Sequence, residues 1–145
     1  MLLVVDANTV FSALLMRGKP LLIFELNRVI NKFEVVSPEF LFFEIGKRVD
    51  KILKFSHFSK EEFISVFSFV KDQIELIPID KFSDKTEECR KLCPHEKDVP
   101  YAALSFKLNC KILSGDKGLK KALPDKVLTP SEAFGILLGR EPDFT

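Results

Sequence analysis

The sequence predicts an α/β domain built on a mainly parallel sheet, and three observations carry that prediction. Short apolar runs of strand length alternate with stretches of helical spacing: Leu2 to Val5, Phe33 to Val36, Ile74 to Pro78, Cys110 to Leu113 and Val127-Leu128. The first and fourth runs are almost continuously apolar, as strands buried on both faces must be. Both lead into a carboxylate: Asp6 directly, and Asp116 after Ser114-Gly115.

Taken in order, Ala7 to Leu15 mixes small and apolar residues and predicts a helix directly after the first strand. Gly18 and Pro20 punctuate the chain, and Leu21 to Val29 returns to helical spacing. After the second strand, Ser37-Pro38 predicts a helix start, with serine as cap and proline in the first helical position. That helix is expected to run to about Lys54. Ser59 and Glu62 have the spacing of a capping box and open a helix over 60–72. A charged helix is expected from Ser83 to Leu92, stopped by Pro94. Asp98 precedes a helix from Val99 to Leu108, and Gly118 to Leu123 predicts a helical turn. Thr129-Pro130 caps a last helix from Ser131 to Leu138, which Gly139 ends. With no repeat, linker or low-complexity tract, residues 1–139 read as one domain and 140–145 as a frayed tail.

Composition narrows the function classes. A formal net charge of +1 gives no global basic field for nucleic acid, although a local patch or bound cations can do the same work. No secretory leader and no apolar stretch of ~18 residues is legible, so neither secretion nor a membrane span is expected. The three cysteines, Cys89, Cys93 and Cys110, are an odd count, which points to free thiols and a cytoplasmic protein. Cys89, Cys93 and His95 have ligand-like spacing but no second half, and read as two thiols on one helix face. Of the fifteen phenylalanines, Phe55, Phe58, Phe63, Phe67 and Phe69 are expected in the core, with a dimer or partner interface as the other reading.

The chemistry lies in carboxylates. In open parallel sheets, ligands sit beyond the carboxyl ends of the strands, where Asp6 and Asp116 are expected. The helix after Asp98 feeds the strand that leads to Asp116, so it starts at that same edge; the other role for Asp98 is a helix cap. Glu44 interrupts the apolar stretch Phe40 to Ile45, which favours a crevice-facing acid over a solvated one, with Glu39 its rival. Acids at one edge repel unless protons or cations sit between them. Hard divalent ions with oxygen ligands fit such a set, and they can activate water and polarise a phosphodiester.

At these residues the chain resembles the PIN-domain nucleases. The matching segments are Val4-Val5-Asp6-Ala7-Asn8-Thr9-Val10, Ser37-Pro38 with Glu44-Ile45, Asp98 to Leu104 with Ile112 to Asp116, and Leu128 to Glu132. The resemblance implies a three-layer α/β/α sandwich with a five-stranded sheet in order 3-2-1-4-5. It further implies Mg²⁺- or Mn²⁺-dependent cleavage of RNA, with Asp6, Glu44, Asp98 and Asp116 as catalytic and metal-holding acids. Asn8 or Ser114 would be the polar helper beside them. A homodimer and a place in a toxin–antitoxin pair, with an antitoxin protein as partner, are also common in the family. Lys117, Lys120 and Lys121 follow Asp116 and are candidates for RNA phosphate contacts, against a plain solvated face. Tyr101 is a candidate for base stacking, against simple packing.

Other functions compete. A phosphotransferase of the haloacid-dehalogenase kind needs a second acid two residues after the first, where this chain has Asn8. A receiver domain needs an acidic pair beside Asp6, which is missing. A non-catalytic domain of the same fold, binding RNA or protein, is the serious alternative.

Overall fold

The computed structural model describes residues 1–140, and the remainder of the expected tail falls outside them. The elements are β1 (Leu2–Val5), α1 (Ala7–Leu15), α2 (Lys19–Ile30), β2 (Glu34–Pro38), α3 (Leu41–Gly46), α4 (Val49–Phe55) and α5 (Lys60–Asp72). They continue with β3 (Ile74–Ile77), α6 (Thr86–Arg90), α7 (Val99–Leu108), β4 (Lys111–Leu113), α8 (Lys117–Ala122), β5 (Val127–Leu128) and α9 (Pro130–Leu137). Short 3₁₀ turns join β3 to α6 and lead into α7.

The five strands form one sheet in order β3-β2-β1-β4-β5, parallel throughout. Its centre is β1, where Val4 pairs with Val36 on one side and Ile112 on the other. Being covered on both faces, β1 must be apolar, and Leu3, Val4 and Val5 are fully buried. The chain moves outward from β1 to β3, then returns past β1 to β4 and β5. Right-handed crossovers in opposite directions place helices on opposite faces, which gives the three-layer sandwich. The reversal falls between β1 and β4 and makes a topological switch point there.

Local signals mostly hold. Ser59 and Glu62 form the capping box of α5. Thr129 and Glu132 form another at α9, with Thr129 Oγ1 accepting from the Glu132 N–H at 3.1 Å. Removing that oxygen in Thr129→Ala should cost about 1 kcal/mol, read as a lower urea midpoint with an unchanged slope.

Three expectations need correction. Ser37-Pro38 does not open a helix: both residues lie in β2, where Pro38 is in register with Ile77. Strand pairing wins because the Ser37 hydroxyl donates to the Val5 carbonyl at 3.0 Å and ties β2 to β1. The helical stretch that follows is two helices, α3 and α4, broken at Lys47-Arg48. The charged helix is shorter than expected; Cys89 lies in α6 but Cys93 lies beyond it. Burial pushes both thiols up to about 11, which keeps them protonated and poor metal ligands.

The phenylalanines divide. Phe63 is buried and stacks on Phe67, which meets Phe42 edge-on at 5.8 Å. Phe43 and Phe55 remain 68% and 56% exposed. No described helix is long and apolar enough to cross a membrane.

Candidate active site

The carboxyl edge of β1 and β4 gathers the acids. Asp6 follows β1 and caps α1, its Oδ1 accepting from the Thr9 N–H at 2.8 Å. Its Oδ2 accepts from the Ser114 hydroxyl at 2.5 Å. Ser114 Oγ in turn accepts from the Asp116 N–H at 3.1 Å. One serine thus fixes the Asp6 carboxylate and the loop that carries Asp116. The Thr9 hydroxyl donates to the Leu113 carbonyl at 3.2 Å and stitches α1 to β4. Asp116 caps α8 by accepting from the Leu119 N–H at 2.9 Å. Gly118 leaves that carboxylate its space, since a Cβ there would stand 3.2 Å from Asp116 Oδ1.

Asp98 stands at the start of α7 but makes no side-chain cap bond. Its Oδ2 is buried without a hydrogen-bond partner, so the side chain does not act as a cap. A buried carboxylate oxygen left unsatisfied is costly and calls for a ligand. Asp6, Glu44 and Asp98 line one recess together with Asn8, Arg48, Lys97 and Tyr101. Its volume is about 20 Å³, room for one water molecule or one bare ion. Asn8 also borders the adjoining cleft of about 200 Å³, which holds Asp116 and Gly115. Larger clefts of about 440 and 550 Å³ open at the other ends of the strands, away from the edge where parallel sheets place ligands.

The charges answer to one another. Burial lifts the Asp6 carboxyl above its usual range, hydrogen bonds from Ser114 and Thr9 pull it back, and the Asp116 charge lifts it further. Burial also raises Asp98, and the charges of Asp116 and Asp6 add to that. Glu44 is raised by burial and held down by Arg48 and Lys47. The hydroxyl of Tyr101 is buried beside Glu44 with no well-formed hydrogen bond, and its proton is held more tightly than usual.

The structure therefore brings Asp6, Asp98 and Asp116 within electrostatic reach and places Glu44 on the wall of the same recess. It does not close them into a cage: among the described residues no three His, Cys, Asp or Glu side chains converge on one ion-sized point. An all-oxygen set with an unsatisfied carboxylate still fits a hard divalent ion that retains several waters. Glu39 is set apart, accepting from the Ile79 N–H at 3.1 Å. Lys117, which directly follows Asp116, and Lys121, in the last turn of α8, are both exposed. Lys120 is engaged elsewhere, donating to the Val127 carbonyl at 2.7 Å and pairing with Glu132 at 3.1 Å. Tyr101 is buried and packs edge-on against Phe40, so it cannot present its ring to a base. Arg48 and Lys97 were not expected at the site; the signals that pointed there are that Arg48 follows Glu44 by about one helical turn and Lys97 directly precedes Asp98.

A parallel sheet with raised carboxylates at its switch point defines a class, an α/β domain with acids gathered at the carboxyl edge of its central strands. The chain belongs to the PIN-domain family, whose model matches residues 4–124. No curated protein sequence matches it. Among solved structures it is similar to a chain of VapBC2 from Rickettsia felis, crystallised bound to a DNA fragment from its promoter. The TM-score is 0.65 over 89% of this chain and 98% of that one, at 16% identity. At that identity the likeness is one of fold.

Proposed function

We propose that the protein is a divalent-metal-dependent endoribonuclease. The observation that carries this reading is the buried, unpartnered Oδ2 of Asp98 in a recess shared with Asp6 and Glu44, one loop from Asp116. Three raised carboxyls at one strand edge hold negative charge that only protons or cations relieve. When bound, Mg²⁺ or Mn²⁺ supplies polarisation of the phosphodiester and acidifies water. Asp6, Glu44, Asp98 and Asp116 are the residues that would hold it. Ser114 keeps the Asp6 carboxylate in one orientation, so the site is set before substrate arrives. Asn8 borders both the recess and the cleft, placed to orient a phosphate oxygen between them. Lys117 and Lys121, both exposed on α8, are the cations proposed for RNA phosphate contacts. Hydrolysis in this family leaves 5′-phosphate and 3′-hydroxyl ends.

Family membership also supports partners. A homodimer, and an antitoxin protein in the manner of VapBC2, are proposed with the same reading, which makes the chain the toxin of a toxin–antitoxin pair.

The test follows a labelled single-stranded RNA with Mn²⁺ or Mg²⁺ for the wild type and Asp98→Asn. Metal-dependent cleavage by the wild type, lost in the variant, is expected. Equal cleavage by both proteins removes Asp98 from the site. RNA binding without cleavage favours the non-catalytic alternative. Growth arrest on expression, relieved by a co-expressed neighbouring small protein, separates a toxin from an RNA-maturation enzyme.

A further inference from the structure

The recess has a second character that the acids do not explain. Arg48 and Lys97 stand on its wall, and neither lines the adjoining cleft that holds Asp116. Among the described residues neither makes an ion pair, although Glu44 shares their recess. Arg48 rests over the Phe11 ring at 5.5 Å, which holds its guanidinium over apolar surface. One ridge outward on α3, Phe43 is 68% exposed, and Lys47 lies 4.7 Å from its ring centroid. Lys51 and Lys54 add positive charge on α4, against one acid, Asp50, in its first turn. An exposed aromatic ring among cations, next to an acidic pocket, matches a polyanion with flat bases better than an apolar partner.

The geometry points to α3 and α4 as the wall that carries single-stranded RNA into the site, with Arg48 and Lys97 gripping phosphate at the recess and Phe43 stacking a neighbouring base. This deepens the nuclease reading and rests on it. The acids keep the phosphates out of the recess interior, and the rim cations hold them at its mouth. An unpaired strand is specified because only an unstacked base can cover Phe43.

The test measures fluorescence anisotropy of a labelled single-stranded oligoribonucleotide in EDTA, so that binding is read without turnover. The variants are Arg48→Gln with Lys97→Gln, Phe43→Ala alone, and Lys32→Gln at the opposite sheet edge as control. The paired charge variant should weaken binding and flatten the salt dependence by roughly 0.7 in log–log slope per cation removed. Phe43→Ala should weaken single-strand binding about ten-fold, leave the slope unchanged, and barely affect a duplex of the same sequence. Lys32→Gln should change neither quantity. If the wild type binds and cleaves RNA while the charge variant and Phe43→Ala keep its affinity and slope, this wall is not the RNA path and is left to a protein partner. If the wild type neither binds nor cleaves any RNA, the nuclease reading itself falls and takes this one with it.

Discussion

Replacing Asp6 by asparagine is expected to cut RNA cleavage roughly a thousand-fold while raising the melting temperature of the protein in EDTA. The two effects share one cause. Asp6 is 6% exposed and its carboxyl is raised by burial and by Asp116, so its charge is unfavourable in the folded protein without a cation. That same charge is what the proposed site would offer a divalent ion. Asparagine keeps an oxygen to accept from the Thr9 N–H, so α1 stays capped. Its amide can donate to Ser114 Oγ, which already accepts from the Asp116 N–H. Thermal melting in EDTA and cleavage with Mn²⁺ check both halves. A lower melting temperature means that the Asp6 charge stabilises the apo fold, and unchanged cleavage removes Asp6 from the chemistry.

Divalent cations should stabilise the protein, and the gain should grow from acidic to neutral pH. Asp6, Asp98 and Glu44 all have raised folded-state proton affinity. A raised value means that the folded chain binds protons more tightly than the unfolded chain does. The contribution of these three acids to stability without metal is therefore greatest below the ordinary carboxylate range of about 4, and it is lost as pH rises through the raised values. A cation replaces the lost protons. Near neutral pH, Mn²⁺ at about 100 times its dissociation constant should add about 2.7 kcal/mol, or roughly 5–10 °C in melting temperature. At about pH 5 protons compete and the gain should shrink. Melting curves with Mn²⁺ and with EDTA across that range decide the matter. A gain independent of pH, or one kept by Asp6→Asn with Asp98→Asn, places the ion away from these acids.

Much of the site was legible locally. Asp6 and Asp116 stood out because an apolar run leading into an acid marks a strand end. Glu44 stood out because its neighbours are apolar. Asp98 was ambiguous, because an acid before a helix is a good cap by itself; the structure shows no cap bond and a buried Oδ2. Lys120 looked like its neighbours Lys117 and Lys121, yet β5 and the α9 capping box lie close enough to take its charge. Arg48 and Lys97 are far apart in sequence and meet only in the recess.

The order of strands and helices, the strand-end acids, the Ser59–Glu62 capping box and the Thr129 cap were determined by the sequence itself, because periodicity and cap chemistry act over a few residues. The tertiary structure decided which end of a local preference prevailed. Ser37-Pro38 carries the chemistry of a helix start, but pairing with β3 and a hydroxyl bond to Val5 made it strand. The tertiary structure also decided what the acids face. Ser114 bonds to Asp6 across a separation of 108 residues, a contact that exists only once β1 and β4 lie side by side. Asp6 and Asp116 therefore entered as two strand ends, and the sheet made them parts of one site.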